Sequence, residues 1–328
     1  MIRKIVFTYI IVITIVISVV LFNVSESLAF ENSKKDQDAK IFENTTIHTY
    51  IGYRLDTLNW NIAGNLPGFG YINILSELEF TNLEILQAGF GIESSVFNRV
   101  HLHWSIHGGC IFDGMGFDSD YDENDRNGLW SRSQFEINND QIFDTSGGVG
   151  YIFKIMNERV TITPLIGGSY HKQNLRLTNG VQIFATPGIT PDLGPITDLN
   201  STYQTDWISV LLGTDIDIKV VNTIILSLSC RYHLLYFEAD ANWNLRTDFQ
   251  HPVSFTHESY GEGLVFASGI TLPFTQQWQV GLSYNWETWW TEAGTDFVFL
   301  TTGQTQITRL NEVNWESQSI NLSLHYRF

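Results

Sequence analysis

Trp278-Gln279-Val280-Gly281-Leu282-Ser283-Tyr284-Asn285-Trp286-Glu287 sets an apolar or aromatic residue at every even position and a polar or small one at every odd position. Successive side chains of an extended chain point to opposite faces, so this stretch is a strand with one greasy and one polar side. The same period of two runs through Val100 to His107, Ile208 to Val220, Ile224 to Leu234 and Ile320 to Phe328. A helical period is almost absent, so the alternation predicts an all-β protein.

A soluble sandwich buries its apolar face and wets the polar one, whereas a membrane barrel turns the apolar face to lipid and the polar face to its lumen. The second arrangement is expected here. The polar face carries Gly, Ser, Asn and His rather than Lys and Glu, as a crowded lumen needs. Aromatics gather at strand ends, as in Tyr151 and Phe153 or Trp286, Trp289 and Trp290, where an interfacial girdle would sit. The chain ends on Tyr326-Arg327-Phe328, which resembles the terminal signal read by bacterial outer-membrane assembly machinery. The N-terminus agrees. Arg3 and Lys4 precede an apolar run from Ile5 to Phe22, and Ser27-Leu28-Ala29 offers small residues for cleavage, so residues 1–29 are expected to be a signal peptide.

Composition narrows the partners. The chain has 328 residues, 16% of them charged, and a formal net charge of −17. The leader holds only Arg3, Lys4 and Glu26 among its charged residues, so its removal leaves 16 basic against 34 acidic side chains. With so little positive charge to neutralise phosphates, nucleic-acid partners are excluded. Outer-membrane lipid, and basic peptides or surface proteins attracted to acidic loops, are the expected partners. Cys110 and Cys230 fall on strands that are not neighbours, too far apart for a bridge, and are expected to be isolated thiols.

Short links are expected near Val96–Arg99, Met156–Arg159, Val221–Thr223 and Pro273–Gln277. Long ones are expected near Asn61–Tyr71, Phe117–Arg132, Asn179–Gln204, Asn242–Glu258 and Ala293–Asn311. Four short turns alternating with five long loops predict a ten-stranded antiparallel transmembrane barrel over residues 43–328, after a short periplasmic segment over residues 30–42. Stretches such as Tyr71–Ser95 exceed the 9–11 residues of a spanning strand, so long extracellular extensions are expected. Ile106, Leu212, Leu228 and Leu282 should face lipid, and His103, Ser227 and Ser283 the lumen.

Ser76-Glu77-Leu78-Glu79-Phe80, followed by Asp118-Ser119-Asp120-Tyr121, is similar to the second-strand and second-loop motifs of the omptins. These are ten-stranded outer-membrane aspartyl-type endopeptidases of Gram-negative bacteria. The resemblance spans the mature chain in element order and is specific over Ser76–Asp122. It implies a water activated between an aspartate pair and a His-Asp dyad, with no cofactor and with lipopolysaccharide held by exterior basic residues. The pair maps onto Asp118 and Asp120. On residues alone this segment is also a solvated acidic loop, since Asp113 to Asp125 carries six acids. For the dyad, Asp240 fills the aspartate position, but Asn242 stands where the histidine is required. Asparagine accepts no proton near neutral pH and so cannot serve as the base. His251 and His257, farther along that loop, could fold back. No acidic specificity pocket is evident near Asn59, although Asp56 is close. His101, His103 and His107 share one face and read as lumen hydrogen-bonding groups rather than metal ligands. The resulting expectation is an omptin-like surface barrel that has lost catalysis and acts in binding or adhesion. An endopeptidase with an altered dyad and a small porin are the alternatives.

Overall fold

The computed structural model describes residues 42–328 apart from 67, 69, 189–191, 222 and 223. The expected leader and nearly all of the 30–42 segment lie outside them. Fourteen strands follow in order: β1 (Phe42–Leu66), β2 (Gly70–Val96), β3 (Val100–Tyr121), β4 (Leu129–Glu136), β5 (Asp140–Tyr151), β6 (Phe153–Ile155) and β7 (Val160–Ala185). Then come β8 (Gly194–Pro195), β9 (Ser201–Val221), β10 (Ile224–Asn242), β11 (Phe255–Pro273), β12 (Trp278–Thr291), β13 (Gly294–Phe299) and β14 (Thr305–Arg327). β4, β5 and β6 together make one staved segment between β3 and β7, and β13 continues β12 between β11 and β14. β14 pairs antiparallel with β1 from Thr46↔Arg327 to Ala63↔Arg309, which closes a ring of about ten strands. Closure matters in lipid, because an open sheet edge would leave backbone groups unpaired where no water can reach them.

The short turns are as expected where they are described. At the first, Phe97 and Asn98 both have positive φ, 51° and 54°, and Arg99 N donates to the Val96 carbonyl at 3.2 Å. This is the tight primed turn whose twist matches that of the flanking strands. The long links are shorter than read from sequence. Only residues 67–69 separate β1 from β2, and residues 300–304 separate β13 from β14. Above the membrane the strands continue but their faces exchange character. On β9, Leu212 and Val210 point to lipid, whereas Trp207 and Tyr203 fill the interior and Asp206 and Gln204 turn outward. A strand that loses its apolar outer face loses its period of two in hydropathy, so these extensions read as loops.

The lower, membrane-spanning half follows the expected orientation. Leu212, Leu228 and Leu282 are 56%, 48% and 51% exposed, while Ser227 donates inward to Asp217 at 2.6 Å. Cys110 and Cys230 are both free and exposed on the outer surface. Tyr151 and Phe153 pack as a tilted pair, ring centroids 4.9 Å apart, beside the periplasmic turn, and Trp286 stacks on Phe266. Trp289 departs from the expected girdle. It is buried in the upper interior among Trp207, Trp315, His171 and His233. With Leu58, Leu78, Phe80, Phe135, Tyr203 and Phe237, all fully buried, the three tryptophans form an apolar core across the upper barrel. An arginine at Leu212, near the middle of the lipid face, should destabilise the folded barrel by roughly 2–4 kcal/mol, and one at Ser227 far less. Urea titrations read by heat-modifiable gel migration test this, and equal tolerance at the two sites would refute the orientation.

Candidate functional site at the extracellular mouth

The upper ends of β2, β3 and β4 place the expected aspartate pair. Register sets Leu78 opposite Asp118 and Ser76 opposite Asp120, with Ser133 and Ser131 across on β4. Leu78 and Phe80 are fully buried inside the barrel, so Asp118 and Asp120 share the inner face just above the apolar core. Ser76 stands beside both carboxyls, opposite Asp120, and Ser131 stands opposite Asp120 on the other flank, so their hydroxyls favour the ionised forms. Burial, and then the neighbouring Asp120, hold the Asp118 carboxyl well above the ordinary carboxylate range. Burial raises Asp120 as well, against the opposing pull of Ser76 and Arg246. Two carboxyl groups so placed cannot both ionise easily, and the pair retains a proton to higher pH than an exposed aspartate.

Arg246, on the link between β10 and β11, is the cation that acts on both aspartates. Its Nε and Nη2 donate to Asp248 at 2.9 and 2.8 Å, and its guanidinium lies 4.0 Å from the centre of the Phe249 ring. Nothing in the sequence motif pointed to it.

The remaining expected residues lie elsewhere. Ala239 and Ala241 are buried inward, so Asp240 between them turns to the outer face, where Thr256 Oγ1 donates to it at 3.0 Å. Asn242 follows on the same face, and its Oδ1 is 2.8 Å from His251 Nδ1. His257 is buried under the mouth. Its Nδ1 meets the Tyr203 hydroxyl at 3.0 Å, and its Nε2 lies 3.5 Å from Asp296. Thus Asp118 and Asp120 are brought together with Ser76, while Asp240 and Asn242 form a separate outward group.

A second polar cluster lies inside the barrel below the mouth. Arg54 binds Asp56 through two hydrogen bonds of 2.7 and 2.8 Å and Asp144 through one of 3.0 Å. Asp144 also takes His107 Nε2 at 2.9 Å and the His171 Nδ1 contact. Gln173 and Trp315 complete Asp56 at 2.9 and 3.2 Å. Asp56 is therefore saturated and offers no open specificity pocket. The available signal was Arg54 and Asp56 at i, i+2 on one lumen face, which calls for partners from strands distant in sequence. His101 and His103 stack at 5.7 Å, and no group of three metal-ligating side chains is positioned to hold an ion among the described residues.

Asp140, at the upper, extracellular end of β5, has its carboxyl pushed up to about 6 by burial, despite the Arg176 backbone N–H donating at 2.6 Å. A raised carboxylate favours the fold below its unfolded value near 4, and that contribution is lost as pH climbs through about 6. Asp140→Asn keeps an acceptor for Arg176. It should melt higher than the wild type at pH 7.5 and match it at pH 4.5.

A closed antiparallel ring with an apolar waist, a polar lower lumen and strands prolonged above the lipid defines an outer-membrane β-barrel. A family model described as Protochlamydia outer membrane protein matches residues 48–328, and the chain belongs to that family. No curated protein sequence matches it significantly. Among solved structures, the outer membrane protease OmpT from Escherichia coli superposes with a TM-score of 0.70 at 11% identity, over 89% of this chain and 99% of that one. The translocator domain of the autotransporter NalP from Neisseria meningitidis gives 0.37 at 11% identity, over 94% and 96%. The likeness to OmpT is one of fold: an omptin-like barrel in the outer membrane.

Proposed function

We propose that this barrel binds cationic polypeptide segments at its extracellular mouth and has lost the hydrolytic step. The carrying observation is the Asp118–Asp120–Ser76 group on the inner rim, on which the acting cation is Arg246 and to which no histidine among the described residues is hydrogen-bonded. Paired carboxylates attract guanidinium and ammonium groups, and the acidic loops strengthen the long-range field at low salt. A general base typically contributes 10²–10⁴-fold, so a mouth without one turns over little. The apolar core beneath the mouth weighs against solute passage, and a steady single-channel current through planar bilayers would overturn that part of the reading.

One observation favours the alternative of an endopeptidase with an altered dyad. Asn242 Oδ1 at 2.8 Å from His251 Nδ1 can hold the imidazole in the tautomer whose Nε2 accepts a proton. Refolded protein in lipopolysaccharide should leave peptides with paired basic residues intact while still binding them. Robust cleavage, lost in both Asp118→Ala and His251→Ala, would replace the binding reading with the catalytic one.

A further inference from the structure

The lower lumen holds a cavity of about 580 Å³ that the mouth does not use. Its open end adjoins Thr46, Asn98 and Lys219 beside the short turns, and its ceiling is Arg54 and Glu287 under the apolar core. A ten-stranded lumen is ordinarily narrow enough to be filled by side chains. Here inward glycines keep it open by letting neighbouring polar groups lie flat against the wall. A Cβ on Gly52 would fall 2.0 Å from Asn321 Oδ1, one on Gly91 2.3 Å from the His48 imidazole, and one on Gly281 2.5 Å from Ser323 Oγ.

Residues of this wall carry enclosed hydrogen-bonding groups without a protein partner. Gln87 is 6% exposed, and its Nε2 donates to Asn321 Oδ1 at 2.7 Å. This fixes the amide and leaves Oε1 as a buried acceptor with no partner. His48 Nδ1, Ser229 Oγ and Arg231 Nε are likewise unmet at the same wall. Buried polar groups cost free energy unless paired, so a hydrogen-bonding guest that draws these enclosed groups toward the lumen would relieve that cost. Charge narrows its class. Four acids and four bases line the cavity, and the inward cations Arg54 and Arg231 are already paired, Arg231 with Asp215 at 3.4 Å. With the charges of the lining balanced, net charge gives an ionic ligand no advantage, whereas serine and threonine hydroxyls, part of them already bonded to protein as in Ser105 and Ser227, offer donors and acceptors to a neutral one. The volume lies within the range of small-molecule sites.

We propose that the lower lumen is a second binding site, entered from the periplasm, for a small uncharged solute bearing several hydroxyl groups. Calorimetric titration of the full-length barrel in nanodiscs with glucose, maltose, glycine and acetate tests this. The two sugars should bind, with glycine and acetate at least tenfold weaker. Gln87→Leu and Ser229→Ala should each weaken sugar binding about tenfold, and Asp118→Asn should not change it. Heat-modifiable migration verifies that each variant is folded; if Gln87→Leu does not fold, Ser229→Ala decides. Absence of sugar binding up to tens of millimolar, which means a cavity holding water only, would overturn the proposal. So would a preference for glycine or acetate, or sugar binding that survives in a folded Ser229→Ala.

Discussion

Replacing Asp118 and Asp120 together with asparagine should cut the affinity for basic peptides about 100-fold or more. Charge-assisted hydrogen bonds to carboxylates contribute roughly 1.5–3 kcal/mol each, and 1.4 kcal/mol is tenfold in affinity. The sign of the pH dependence is a sharper test. Both carboxyls are raised by burial, and Asp118 further by its neighbour, so in the free protein the pair carries a proton into the range where exposed aspartates are ionised. A cationic ligand binds the ionised pair and drives that proton off. Affinity should therefore strengthen as pH rises above the ordinary carboxylate range, and flatten once both groups are charged. Asp118→Asn alone removes the mutual repulsion and should move that rise to lower pH. Arg246→Ala should tighten binding, because it removes the chain's own competing cation. Peptide titrations across pH at two ionic strengths measure all three, and an affinity indifferent to pH would exclude the pair from the site.

The largest loss of stability is expected at Asp144. This one carboxylate serves Arg54, His107 and His171 inside the barrel. Removing one partner of a buried ion pair costs about 3–5 kcal/mol, because the remaining charge stays buried and uncompensated. Asp144→Asn keeps the shape and loses the charge, so it should destabilise by an amount near the lower end, since Asp56 still holds Arg54. Arg54→Met combined with Asp144→Leu should be milder than the sum of the two single changes, the signature of a coupled pair. Urea unfolding in micelles of constant composition gives the comparison. An Asp144→Asn barrel as stable as the wild type would mean that the network adds nothing to the fold.

The sequence by itself determined the lower half of this protein. Lipid outside and a polar lumen inside impose one rule on every spanning residue, so Leu212, Leu228, Leu282 and Ser227 could be assigned by counting in twos. It also located the Asp118 and Asp120 motif, because an i, i+2 pair on one strand stays on one face whatever the rest of the chain does. Above the membrane that rule lapses. Outer residues such as Asp206 and Gln204 meet water, inner ones such as Tyr203, Trp207 and Trp289 pack together, and the exchange of faces hid strands as loops and a core ring as a girdle. Only the tertiary structure decided which distant residues meet. Asp240 turned outward because Ala239 and Ala241 fill the core, Asn242 found His251, Arg246 came to act on Asp118 and Asp120, and Asp144 joined Arg54 across the lumen. The last two pairings depend on ring closure and strand stagger, which bring together residues far apart in sequence, and the Asn242 pair on how one link folds back, whereas local alternation records only the two faces of a single strand.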